Sequence, residues 1–191
     1  MRFSIVSYFD QELTKEIQFL QEKLLDLSGS SACLDIWEPH ITVGSGVEME
    51  QSKLPEFYQD IQSAITSFEP FEVAIAGFDF IDSFVGKVDN CSLYVVYLRV
   101  IPSEKLQLLA ERIKKHVTDK QKVWYTQPWP FIPHITLAFK DLSQEGFEKA
   151  KVFFQNEHFT KTTKIDHVSI VLEIQEKKWR EYKRFGFQEN P

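Results

Sequence analysis

Glu38-Pro39-His40-Ile41-Thr42-Val43 and Ile132-Pro133-His134-Ile135-Thr136-Leu137 read almost alike, and the second stands 94 residues after the first. In a β-strand successive side chains point to opposite faces, so His and Thr at i and i+2 share one face while Ile41, Val43, Ile135 and Leu137 take the other. Each segment therefore reads as a strand that anchors in a core and presents an imidazole and a hydroxyl on its other side.

The tripeptide alone carries no information, because His116-Val117-Thr118, His158-Phe159-Thr160 and His167-Val168-Ser169 also fit His-x-Thr/Ser. Context separates the two. Only they have a preceding proline and a following aliphatic alternation. Moving along the chain by 94 residues lays His134 on His40 but puts His116 on Glu22, His158 on Ala64 and His167 on Val73.

The correspondence extends into a repeat, which decides the fold more than local propensity does. The first half starts with an alternating strand, Phe3 to Tyr8. Asp10 then caps an amphipathic helix with Leu13, Ile17, Leu20, Leu24 and Leu27 on one stripe and Gly29 as its stop. After the His40 strand come a helix near Pro55 to Ser67 and a strand at Phe71 to Phe80. The second half repeats this order: a strand at Leu93 to Val100, a Ser103-capped helix, the His134 strand, a helix from about Ser143 to Phe154, and strands near Ile165 to Ile174 and Trp179 to Phe187. The expected architecture is α+β: a bilobal duplicated fold, two antiparallel-sheet lobes with helices packed outside and a central cleft. Residues 1–191 are expected to form one domain with repeat halves of approximately 1–85 and 91–191, since halves of this size bury little surface alone and no linker divides them. Ile81 to Asn90 reads as a crossover or lid loop, and Gln121 to Phe131 as an aromatic-rich loop.

With 43% hydrophobic and 26% charged residues the composition is that of an ordinary globular chain. It holds no apolar run long enough to span a bilayer, and Met1-Arg2-Phe3 runs straight into a strand, so a cytoplasmic, membrane-free protein is expected. Cys33 and Cys91 lack metal-ligand spacing and read as free thiols. A net charge of −6 argues against a grip on long duplex nucleic acid, which needs many Lys and Arg contacts, but leaves room for a small phosphorylated substrate. The aromatic cluster Trp124, Tyr125, Trp129 and Phe131 offers surfaces on which a base could stack, as does Phe84 in the other loop. Phe84, Tyr125 and Trp129 are taken as candidate substrate contacts.

Histidine titrates near neutrality, so of two imidazoles on opposite sides of a phosphodiester one can accept a proton while the other donates. Thr42 and Thr136 can donate hydrogen bonds to the non-bridging phosphoryl oxygens as charge builds there. No cofactor and no metal is required in this scheme. A different reading makes His40 and His134 metal ligands with a carboxylate such as Asp79 or Asp82.

His40-Ile41-Thr42-Val43 and His134-Ile135-Thr136-Leu137, set in a duplicated α+β chain, resemble the two-histidine phosphoesterase superfamily, which includes the bacterial 2′-5′ RNA ligases and cyclic nucleotide phosphodiesterases. The resemblance covers nearly the whole chain. It implies metal-independent hydrolysis, or reversible ligation, of 2′,3′-cyclic or 2′-5′-linked phosphodiesters on nucleotides and RNA ends. By position it makes His40 and His134 the acid-base pair and Thr42 and Thr136 the phosphate ligands. The expected partner is a small nucleotide or RNA end, acted on by a monomer. A nucleotide-binding module with little turnover is the main alternative, and a 2′-5′ RNA ligase the other.

Overall fold

Alternation and capping decide the elements. The computed structural model describes residues 1–82, 94–126, 130–174 and 178–188. The first strand, β1 (Arg2–Ser7), runs into α1 (Gln11–Ser28), whose first turn is closed by the Asp10 carboxylate accepting from the Leu13 amide at 2.8 Å. Gly29, at φ 74, closes the other end in the left-handed conformation. A short helix α2 (Ala32–Ile36) precedes β2 (Ile41–Glu48), then follow α3 (Leu54–Ile65) and β3 (Phe71–Ile81). The second half supplies β4 (Val95–Val100), α4 (Glu104–His116), β5 (Lys122–Tyr125), β6 (His134–Ala138) and α5 (Gln144–Phe154). Ser103 and Ser143 cap α4 and α5 as their positions predict. The chain closes with β7 (Thr160–Ile165), β8 (His167–Glu173) and β9 (Trp179–Gly186).

These strands build two antiparallel sheets, one ordered β5-β2-β1-β8-β9 and the other β6-β4-β3-β7. The expected two-sheet α+β architecture is what the chain adopts. Strand pairing crosses between the halves, however. β3 pairs with β4 of the second half, and β8 pairs with β1 of the first. Each sheet thus needs strands from both halves, and one apolar core containing Phe3, Ile41, Phe57, Leu98, Ile135 and Phe147 spans both.

The structure changes two readings and adds one helix. Lys122–Tyr125, expected as loop, is an edge strand, with Tyr125 in register with Gly46 of β2. The stretch expected as one strand at 165–174 is the end of β7 and the whole of β8, separated at Asp166. The helix α2 occupies a stretch to which the sequence assigns no element, clamped by Asp141, whose carboxylate accepts from the amides of Ser31 and Ala32 at 2.9 and 3.1 Å. The expected lid loop begins at Ile81, which instead ends β3, and the rest of it from residue 83 lies outside the described residues, as do the candidate contacts Phe84 and Trp129 and Cys91. Cys33 is a free thiol whose pKa burial pushes up to about 12.

Gly46 shows how closely the motif strand is packed. A Cβ there would stand 2.6 Å from Cζ2 and 2.7 Å from Nε1 of Trp124. The indole has nowhere to go, because its N–H donates to the Phe3 carbonyl at 3.2 Å and its ring stacks on Trp179. Gly46→Ala should therefore cost about 1–3 kcal/mol by overpacking. A urea titration followed by tryptophan fluorescence should show a lowered midpoint with unchanged slope; an unchanged midpoint would mean that this contact relaxes freely.

Candidate active site

The proline in each motif has a local consequence. Proline fixes its own φ and holds the residue before it extended, which sets the carbonyl of residue i−2 beside the imidazole of residue i. His40 Nδ1 lies 2.7 Å from the Glu38 carbonyl oxygen, and His134 Nδ1 lies 2.9 Å from that of Ile132. A carbonyl only accepts, so in both rings Nδ1 carries the proton and Nε2 is the basic atom. The approach to His134 is held further by the buried Phe131, whose carbonyl accepts from the Gln107 amide at 3.1 Å. The other histidines lie elsewhere: His116 ends α4, His158 follows α5, and His167 is buried with Nδ1 2.5 Å from its neighbour Asp166.

The two motif strands adjoin at the seam between the sheets, β2 on one side and β6 on the other. The imidazoles are close enough that the charge of His134 opposes protonation of His40. Burial is the larger cause. It lowers the His40 pKa to about 4, against the opposing effect of the Glu38 carbonyl, and it lowers that of His134 as well. Both rings are neutral at pH 7 in the ligand-free protein.

Their surroundings differ. His40 stacks on Trp37 with ring centroids 3.9 Å apart, Trp37 stacks on Trp179 at 4.8 Å, and Trp179 on Trp124 at 5.4 Å. The Trp37 indole donates to the Tyr8 hydroxyl at 2.9 Å, and Tyr8 meets His40 edge-on. Across the seam, His134 has only Tyr97 edge-on at 5.4 Å among the described residues. Thr136 is held through its backbone, its carbonyl accepting from the Gln21 amide at 3.2 Å.

Of the residues picked from the sequence, His40 and Thr42 stand at the start of β2 and His134 and Thr136 on β6, the two strands that adjoin at the seam. Tyr125 is half-buried at the sheet edge, with burial raising its hydroxyl pKa. Of the same aromatic cluster, Phe131 is buried in the core, and Trp124 is half-buried, packed on Trp179 and against Gly46. Sequence reasoning missed Tyr8, Gln21, Trp37, Tyr97 and Arg99. For Tyr97, which is buried, and Arg99, which is exposed, a signal existed in the alternation of β4, where they share the face opposite to Val96, Leu98 and Val100 of the core.

A model of the 2′-5′ RNA ligase superfamily matches residues 9–175. The chain belongs to that family. It is 24% identical over 147 residues to a protein of Oceanobacillus iheyensis that bears a phosphoesterase name, covering 77% of this chain and 78% of the relative. Among solved structures it is similar to TT0787 of Thermus thermophilus, at 16% identity and a TM-score of 0.69 over 98% of each chain. It is likewise similar to E. coli LigT complexed with 3′-AMP, at 16% identity and a TM-score of 0.67 over 98% of each chain. These two likenesses are of fold. Family and relatives together support a phosphoesterase, in agreement with the resemblance that the two motifs carry. No helix among the described residues is long and apolar enough to cross a membrane.

Proposed function

We propose that this chain is a phosphodiesterase acting on 2′,3′-cyclic or 2′-5′-linked phosphodiesters of nucleotides or RNA ends by two-histidine acid-base catalysis. The observation that carries the reading is the twinned geometry of His40 and His134, each with Nδ1–H on the carbonyl two residues back and Nε2 left as the basic atom. One Nε2 takes the proton of the attacking water or hydroxyl as the new P–O bond forms. The other, protonated, gives its proton to the leaving oxygen as the old bond breaks. Thr42 and Thr136 steady the non-bridging oxygens, which removes the need for a divalent ion. The nucleotide 3′-AMP that LigT binds fits the size of substrate this reading requires. Tyr125 stands as a candidate contact for the rest of that nucleotide. The reading takes residues 1–191 as one catalytic domain, working as a monomer in the cytoplasm.

The test is hydrolysis, with EDTA present, of adenosine 2′,3′-cyclic phosphate, a cyclic phosphate of ADP-ribose, a 2′-5′-linked dinucleotide and an RNA ending in a cyclic phosphate. Turnover of at least one at full rate is expected. Activity that vanishes on chelation and returns with a divalent ion overturns the acid-base scheme. Binding of nucleotides without cleavage points to the binding-module alternative.

The lowered imidazole pKa values set the pH dependence. Catalysis needs the singly protonated pair, and both free-enzyme values lie below the usual 6.5, that of His40 at about 4. The kcat/KM profile should therefore be a bell with its maximum on the acid side of 6.5. An anionic phosphate in the cleft favours the imidazolium, so the kcat bell should lie at higher pH and nucleotide binding should take up protons. A kcat/KM flat between pH 5 and 9 would mean that neither imidazole titrates in the rate-limiting step.

A further inference from the structure

Arg99 stands in register with His134, and Tyr97, two residues earlier on β4, with Thr136. Both occupy the face opposite to the core residues Val96, Leu98 and Val100. Sheet order puts Arg99 on the far side of His134 from β2, since β6 adjoins β2 and β4 lies behind it. Arg99 is thus outside the space between the two imidazoles, on the β4 side of His134, with its guanidinium lying toward β3.

The guanidinium is anchored by one edge only. Arg99 Nε donates to the Ala76 carbonyl at 3.1 Å, and its terminal nitrogens have no hydrogen-bond or ion-pair partner among the described residues. Opposite it, Ala76 and Gly77 form a bulge between the pairs Ile75↔Val100 and Phe78↔Leu98. Gly77 adopts φ 77, the left-handed conformation that glycine takes without strain, and Arg99 Nη2 lies within van der Waals reach of it.

The corresponding position on the other side of the seam is different. One residue past the pair Ser7↔Ile41, the neighbour of His40 is Tyr8, whose hydroxyl is engaged by Trp37. Arg184, on β9 of the same sheet, is spent on Glu181 at 2.8 Å. Two matched imidazoles are flanked by an aromatic side chain at one end and an unspent cation at the other.

We propose that Arg99 forms an anion subsite that takes a phosphate monoester carried by the substrate in addition to the scissile diester. The preferred substrates are then nucleotides or RNA ends bearing such a second phosphate, lying with it on the His134 side. A guanidinium fork held at Nε presents its terminal N–H groups to the oxygens of a monoester, a geometry that lysine lacks. The inference rests on the phosphodiesterase reading for which ligand occupies the seam, so its test is a binding measurement that needs no turnover.

Calorimetric titration with 3′-AMP and with adenosine 3′,5′-bisphosphate gives the ratio of their affinities. Wild type should prefer the bisphosphate by about tenfold or more, Arg99→Met should bring the ratio close to one, and Arg99→Lys should restore it only in part. The proposal falls if wild type shows no preference, or binds neither compound, or if Arg99→Met leaves the ratio unchanged, as it would were Arg99 holding the phosphate common to both. A preserved preference in a protein that cleaves nothing in the substrate panel would leave the subsite standing and overturn the catalytic reading alone.

Discussion

His40→Ala and His134→Ala should each lower kcat on the best substrate of the panel by on the order of 10²–10⁴, because each removes one half of the proton transfer. The double variant should lose far less than the product of the two, since a lone imidazole has no partner to work with. The hydrogen bond of each Nδ1 is local, made to the carbonyl two residues back rather than to another element. The substitutions therefore leave the sheets intact, although His40→Ala also uncovers one face of Trp37. Urea midpoints and the affinity for 3′-AMP separate lost chemistry from lost structure. His158→Ala, outside both motifs, is the control. If His40→Ala kept near-full activity on every substrate while His158→Ala did not, the assignment from the repeat would be wrong.

What the sequence revealed and what it concealed divide along the range of the interactions. Asp10, Gly29, Ser103 and Ser143 act within one helical turn, and their helices end where those residues say. The prolines of the two motifs also act locally, and the feature that separated these histidines from the other three is the one that fixes their tautomer. β7 was invisible because Thr160-Lys161-Thr162-Thr163-Lys164-Ile165 has almost no apolar alternation; its place comes from pairing with β3 along six residues. β5 is short and reads as an aromatic loop until the edge of β2 is there to receive it. The exchange of strands between halves depends on pairings such as Val6 with Ser169, far apart in the chain, and periodicity does not report these.

The site shows the same division. His and Thr at i and i+2 were legible because strand geometry fixes their shared face. Gln21 sits between Ile17 and Leu24 on the buried stripe of α1 and breaks its apolar pattern, for a reason that only the folded chain supplies: the carbonyl of Thr136. Trp37 belongs to no element that the sequence pattern marks, yet it bridges the His40 ring and Trp179, and this packing contributes to the burial that lowers the His40 pKa. Arg99 was visible as an outward residue of β4, but its position behind His134 required the register of β4 on β6.

Thr42→Val and Thr136→Val should stay folded and lose kcat by about 10²–10³ each, the cost of removing one donor from the oxygens on which charge develops. Valine keeps the branched shape, and at Thr136 the bond from Gln21 goes to the main-chain carbonyl, which the substitution retains. β2 and β6 also remain anchored by Ile41, Val43, Ile135 and Leu137 in the core. The decisive measurement is how the loss divides between kcat and KM. If the hydroxyls act on the transition state, kcat and kcat/KM fall together and KM barely moves. A rise in KM alone, with kcat unchanged, would make the threonines ground-state phosphate ligands and place the charge stabilisation on the imidazolium. A collapse of the urea midpoint in either variant would instead assign its hydroxyl to the fold.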